Sequence, residues 1–303
     1  MNDHDACIIL NMLNGIGGLL SAWKPRRGAY VNPLLEACGS VSAIFDLNPA
    51  EISRIGGIGI EQPGRIPRWR EFVDLDRELE SAKQAGATIL CRTDDDYPDS
   101  LRGLDNPPLC LYLLGKLPAD LTGKSVAIVG TRTPSDRGIR MAGAFAKSAV
   151  SAGWTTVSGL ASGIDMAAHR ATLAAGGRTV AVLGSAIADV YPAENAELAR
   201  EIVRTGGAVV SEYPMNTRST RNTLTRRNRI IAGLSRCTLV IEAAASSGAL
   251  LTAEAASKLG CRVFAVPGAE DDPMAAGSNG LIRQGAKPVN DFEDILDSFN
   301  AAQ

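Results

Sequence analysis

Lys124-Ser125-Val126-Ala127-Ile128-Val129-Gly130-Thr131-Arg132-Thr133-Pro134-Ser135-Asp136-Arg137-Gly138 passes from a short β-branched run, through a loop of small residues, into a segment with apolar residues at helical spacing. Val126 to Val129 is apolar throughout, which suits a strand buried on both faces. Ala142, Phe145, Ala146, Ala149 and Val150 then fall on one stripe, so the segment after the loop reads as a helix laid on a sheet. Strand, loop and helix, repeated, is the unit from which parallel α/β sheets are made.

The repetition continues to the end of the chain. Thr155 to Val157, Thr179 to Leu183, Ala208 to Val210, Leu239 to Ile241 and Val263 to Val266 read as further strands. Between them Ile164 to Ala175, Asn195 to Arg204, Arg227 to Leu234 and Leu250 to Leu259 read as helices. The fold class expected is α/β, a doubly wound, mostly parallel sheet. Gly86 to Cys91 and Leu109 to Leu114 are two more strand-like runs that extend it. The residues before Gly86 are helical in pattern and predict a small separate domain over residues 1–83, with the sheet domain over 84–303. Two turns there, Asn14-Gly15-Ile16-Gly17 and Gly56-Gly57-Ile58-Gly59, resemble helix-hairpin-helix modules. Such turns hold DNA phosphates on their amides or serve only as tight turns, and both readings stand. Lys24, Arg26 and Arg27 likewise form either a basic loop for a ligand or a plain solvated one.

Of the 303 residues 45% are hydrophobic, an ordinary globular composition, and the net charge is -2. The whole-molecule field therefore does not attract a polyanion, and any nucleic-acid site must be a local basic patch. The six cysteines are scattered, with no pair at zinc or dithiol spacing, and are expected to be reduced and packed. His4 and His169 alone do not make a metal cluster. The N-terminus opens with acids, and no stretch approaches the roughly 18 apolar residues of a membrane span. The expectation is a cytoplasmic protein with no cofactor, no metal and no membrane contact.

Ligands of an open parallel sheet bind beyond the carboxyl ends of its strands, so the loops there carry the function. Gly130 to Gly138 supplies free amides, Arg132 and Arg137, and suits phosphate. It lacks both the Gly-Lys-Ser/Thr of a Walker loop and the G-x-G-x-x-G spacing of a dinucleotide site. Ser158-Gly159-Leu160-Ala161-Ser162-Gly163-Ile164-Asp165 allows close backbone approach, with Asp165 either near a ligand or a helix-terminal carboxylate. From Tyr213 through Ile241 there is no acidic residue, yet Arg218, Arg221, Arg226, Arg227, Arg229 and Arg236 all occur. A salt-bridged helix face would interleave carboxylates. Within this run Asn228 and Arg229 are the residues expected to bond loop carbonyls instead of ligand. Ala245-Ser246-Ser247-Gly248-Ala249 is a further anion-binding layout ahead of a helix. Four arginines on phosphates would give a slope of log affinity against log salt of about -3 on single strands.

Taken in order, Gly-Thr-Arg at 130–132, Ser-Gly-Leu-Ala-Ser-Gly-Ile-Asp at 158–165, Ser-Glu-Tyr-Pro at 211–214, Arg-Asn-Arg-Ile-Ile-Ala at 227–232, Ser-Gly-Ala-Leu-Leu-Thr-Ala at 247–253 and Val-Pro-Gly at 266–268 resemble the DNA-processing protein A (DprA/Smf) family. The resemblance implies an extended Rossmann-like fold with a SAM-like helical N-terminal domain. It further implies a homodimer that binds single-stranded DNA without catalysis and loads the recombinase RecA in natural transformation. The DNA-binding residues it implies are Gly130, Thr131, Arg132, Ser158, Gly159, Gly163, Arg221, Arg226, Arg227, Asn228, Arg229, Ser247 and Gly248. Leu281 and Ile282 fall where family members pair. The family usually writes Phe-Pro where this chain has Leu224-Thr225, so an aromatic able to stack on a base is missing at that point.

Two other readings stay open. One is a nucleotide-binding or nucleotide-cleaving enzyme similar to lysine-decarboxylase-like phosphoribohydrolases, with Glu254 as the acid or base. The other is an interaction scaffold with a vestigial pocket.

Overall fold

The computed structural model describes residues 1–15, 31–57 and 63–301. The loop with Lys24, Arg26 and Arg27, and the Ile16-Gly17 and Ile58-Gly59 halves of the two glycine turns, lie outside the described residues. The chain divides into two compact units.

The first unit comprises Met1–Leu113 with Ala186–Ala188 and Ser211–Arg218. It holds helices α1 (Asp3–Gly15), α2 (Val31–Cys38), α3 (Pro49–Gly56), α4 (Leu75–Gln84) and α5 (Asp99–Arg102). Local sequence accounts for α3: Asn48 and Glu51 form a reciprocal capping box, Pro49 occupies the first turn, and Gly57 closes the end at φ 62°. The unit also takes in the two runs read as strands at Gly86 to Cys91 and Leu109 to Leu114. Strands β1 (Thr88–Cys91) and β2 (Cys110–Gly115) pair antiparallel, Cys91 opposite Cys110, and the unit runs through β1 and most of β2. Ile8, Ile9, Leu10, Leu34, Ile44 and Ile52 form its apolar interior. Glu78 is buried there, accepting from the Tyr112 hydroxyl at 2.5 Å and the Met215 amide at 2.8 Å.

The second unit is the doubly wound α/β sheet that the sequence implies. Its strands are β3 (Ser125–Val129), β4 (Thr155–Ser158), β5 (Thr179–Leu183), β6 (Ala208–Ser211), β7 (Cys237–Val240), β8 (Arg262–Ala265) and β9 (Lys287–Pro288). They lie in the order β6-β5-β4-β3-β7-β8-β9. β3 runs parallel to β4 and β7, β4 to β5, β7 to β8 and β8 to β9. The helices are α6 (Asp136–Ser151), α7 (Ile164–Ala174), α8 (Ala196–Arg204), α9 (Arg221–Arg226), α10 (Asn228–Gly233), α11 (Ala249–Lys258), α12 (Ala276–Arg283) and α13 (Glu293–Asn300). Ala142, Phe145, Ala146 and Ala149 on α6 pack with Val126, Ile128, Leu239 and Phe264 of the sheet, closed off by Trp154 and Phe292. The chain reverses its direction of travel across the sheet between β3 and β7. That switch point opens a crevice outside the strands' carboxyl ends.

Candidate nucleic-acid interface

The crevice is a groove of about 840 Å³. The loop after β3 lines it with Gly130, Thr131, Arg132 and Thr133, and the loop after β7 with Ala244 to Gly248 running into α11. Arg221 at the start of α9, Asn228 at the start of α10, and Tyr191 complete the rim. Thr220 caps α9, its hydroxyl accepting from the Thr223 amide, which fixes where Arg221 leaves the backbone. Arg132 and Arg221 are both exposed. Neither forms an ion pair with any carboxylate among the described residues. The only acidic residue in the lining, Asp165, is buried and engaged elsewhere. The groove therefore presents uncompensated positive charge.

Two loops expected to cradle phosphate are filled by the protein's own carboxylates. At the start of α6, Glu242 accepts from the Ser135 amide at 3.2 Å and the Ser135 hydroxyl at 3.0 Å. A Cβ on Gly138 would lie 1.9 Å from a Glu242 carboxylate oxygen, so the glycine there makes room for this contact. In the Ser158-to-Gly163 loop, Asp165 accepts from the amides of Gly159 at 3.1 Å and Ala161 at 3.4 Å. Burial pushes the Asp165 carboxyl up, against the opposing pull of the Arg227 guanidinium beside it. The two loops are also tied to each other, since Ile164 donates its amide to the Thr131 carbonyl at 3.1 Å. Gly163, at φ 85°, leaves no room for a side chain against that same carbonyl.

Several residues implied as DNA contacts thus serve the scaffold. Arg227 lines the groove, yet its guanidinium is engaged by the scaffold. It is only 4% exposed, donates to the carbonyls of Gly159 and Val182, and sits 4.0 Å from Asp165, so its guanidinium clamps β4 and β5 to α10. Ser158 is buried and spends its hydroxyl on the Ile128 carbonyl at 2.6 Å. Gly159 lies against Arg227 and Gly163 against the backbone of Thr131 and Arg132, and with Ser158 they fall outside the groove lining. Arg226 and Arg229 are also outside it. Asn228 donates to the loop carbonyl of Gly248 at 3.2 Å, as expected, whereas Arg229 donates to the carbonyl of Arg226 at the end of α9 at 3.2 Å. Gly130, Thr131, Arg132, Arg221, Arg227, Asn228, Ser247 and Gly248 are brought together in the lining, Arg227 with its guanidinium bound into the scaffold. Leu281 and Ile282 are half-buried on α12.

His169 is fully buried against Thr179, with Nδ1 2.7 Å from its hydroxyl, and burial followed by the Arg227 charge holds its pKa down to about 3. Glu254 stands on the exposed face of α11, paired with Lys258 at 2.6 Å and outside the groove lining. That position does not serve the acid-base role the enzyme reading gives it. Among the described residues one histidine, cysteine and carboxylate grouping exists, His4, Cys91 and Asp94 in the first unit. Chain separation hid it from a reading of local spacing. Asp94 is already bonded to the Cys91 amide at 2.8 Å and lies 3.6 Å from His4. A hydrogen bond to Cys110 and burial push the Cys91 thiol well up, away from the thiolate a metal needs. Tyr191, in the groove lining, and Glu242, bonded to Ser135 beside it, are residues that the sequence did not single out. The signal for Tyr191 was its place in a loop after a parallel strand.

The family described as DNA recombination-mediator protein A matches residues 88–300. The Smf protein of Synechocystis is 38% identical over 286 residues, covering 92% of this chain and 72% of that protein. The X-ray structure of DNA processing protein A from Streptococcus pneumoniae is similar with a TM-score of 0.78 at 31% identity, covering 96% of this chain and 97% of that one. The DNA processing protein A of Helicobacter pylori, whose structure concerns its single-stranded DNA binding mode, gives a TM-score of 0.63 at 25% identity, covering 71% and 96%. No helix among the described residues is long and apolar enough to cross a membrane.

Proposed function

The chain belongs to the DNA recombination-mediator protein A family, and from that premise we propose that it binds single-stranded DNA by its phosphates in the groove beyond β3 and β7. The single observation that carries this reading is the pair of exposed guanidiniums, Arg132 and Arg221, which share one groove without a carboxylate to neutralise them. Gly130, Thr131, Asn228, Ser247 and Gly248 shape the wall, and Arg226 and Arg229 add positive charge to α9 and α10. The single-stranded DNA binding mode of the Helicobacter pylori relative supports the same ligand here. The protein then acts in the cytoplasm in natural transformation and recombination. It protects incoming strands, passes them to the RecA recombinase, and pairs with a second copy through Leu281 and Ile282. No bond of the DNA is made or broken.

The test is anisotropy of a labelled oligo-dT with wild type, Arg132→Ala and Arg221→Ala. Each substitution is expected to weaken binding about tenfold, in line with charge-assisted contacts. Each should also make the slope of log affinity against log salt shallower by about 0.7. Unchanged affinity in both variants, or a salt-independent wild type, would remove the phosphate groove as the site.

A further inference from the structure

Phosphate contacts alone do not favour a single strand over a duplex, because the duplex carries the higher charge density of the two. A groove selective for single strands needs a group that engages unpaired bases. Among all the side chains lining this one, Tyr191 is the sole aromatic, and it is 45% exposed. A lone exposed apolar residue elsewhere would require no explanation. This ring instead stands in the same groove as the two uncompensated guanidiniums of Arg132 and Arg221. Among the described residues the other exposed large apolar ones, Met1, Leu79, Ile139 and Leu251, have no π face.

The segment that carries the ring is anchored. Asn195, buried at 1% exposure, donates Nδ2 to the Leu160 carbonyl at 2.9 Å. Ser162 donates its hydroxyl to Glu194 at 3.0 Å. The stretch after β5 is thus bonded to the stretch after β4, and the ring is presented on a backbone fixed at the next turn. Little ordering remains to be done when a base arrives.

Resting on the phosphate-groove reading above, we propose that Tyr191 is a base-stacking platform, giving the groove its choice of single-stranded over double-stranded DNA. The ring's face takes an unpaired base whose phosphates are held by Arg132 and Arg221. Stacking depends on the ring and not on its hydroxyl, so phenylalanine should serve equally.

The experiment compares wild type, Tyr191→Ala and Tyr191→Phe on three labelled probes: oligo-dT, an abasic oligomer of the same length, and a duplex. Tyr191→Ala is expected to weaken oligo-dT binding about 5- to 160-fold, the range for loss of one stacked base. The abasic oligomer and the duplex should bind this variant as they bind wild type, and Tyr191→Phe should retain wild-type affinity for oligo-dT. An unchanged affinity of Tyr191→Ala for oligo-dT overturns the assignment, and so does an equal loss on the abasic strand. If wild type binds none of the probes, the groove reading falls and this proposal with it. Binding of wild type to oligo-dT and abasic strand alike leaves the phosphate groove standing and removes only the stacking role. Because the side chain is exposed, the denaturation midpoint of Tyr191→Ala is expected to match wild type and serves as the folding control.

Discussion

At the scale of single residues, side chains of one chemical type divide between scaffold and ligand according to their burial. Arg132 and Arg227 both come from segments that the sequence marks as basic, yet Arg132 is exposed and unpaired while Arg227 is enclosed by Gly159, Val182 and Asp165. A guanidinium taken out of water is tolerated only where its donors and its charge are matched, as those partners match it. The Arg227 charge has a second consequence at His169, which burial and that charge hold neutral with a pKa of about 3. Above about pH 6.5 this histidine is neutral in the folded and unfolded chains alike and costs nothing. As the pH falls below that value the unfolded chain takes up the proton and the folded chain does not, so stability is lost until the folded pKa is reached. Between about pH 6.5 and 4.5 the loss amounts to about 2 kcal/mol. His169→Gln has no such proton to take up. Urea denaturation of the two proteins over this interval should give a shallower pH slope for the variant, and parallel slopes would show that His169 does not titrate as its burial requires.

At the scale of elements, glycines decide how closely loops and helices approach. Gly138 on α6 faces the Glu242 carboxylate, where an added Cβ would stand 1.9 Å from an oxygen, whereas Gly143 on the same helix has only the Ala171 methyl at 3.8 Å. Gly138→Ala must therefore displace the carboxylate that binds Ser135 at the helix start, at a cost of about 1–3 kcal/mol. Gly143→Ala meets an ordinary contact and relieves an interior glycine, a gain of about 0.5–1 kcal/mol. Opposite shifts in the denaturation midpoint are the expected outcome; two shifts of the same sign would mean that helix propensity, not the Glu242 contact, governs α6. These elements were largely legible in the sequence, because β-branched runs and helical stripes are local patterns. Thr179–Leu183 has its expected bounds, and Leu239 to Ile241 slips to Cys237–Val240 because one apolar run continues past the paired residues. The occupation of the glycine loops was not legible. Glu242 meets Ser135 across 107 positions, a pairing set by the order of strands in the sheet and not by any neighbour in the chain. The same holds for Arg227 against Gly159, 68 positions away. A loop rich in amides reads as an anion site from sequence whether the anion is a ligand or the protein's own carboxylate.

For the whole molecule, a net charge of -2 gives no long-range attraction toward DNA, so binding must come from local contacts and from how many grooves one strand can reach at once. Two unpaired arginines per groove neutralise few phosphates, and a pair of grooves on a dimer would raise affinity without any new contact. The proposed pairing helix α12 suits such an arrangement. Its Gly277 amide donates to the Ala243 carbonyl at 2.7 Å, in the stretch that leads from β7 into the groove wall, while Leu281 and Ile282 lie further along the same helix. A charge placed at both apolar positions, Leu281→Glu with Ile282→Glu, should separate the copies and leave each groove intact. Sedimentation equilibrium is expected to show a dimer for wild type and a monomer for the double variant. Strands too short to span two grooves should bind both proteins alike, while for long strands the variant should lose about 100-fold or more, the scale on which linked sites exceed single ones. An equal loss on short and long strands would mean that the substitutions had damaged the groove itself. A wild type that sediments as a monomer would remove Leu281 and Ile282 from any interface and leave each groove to hold its strand alone.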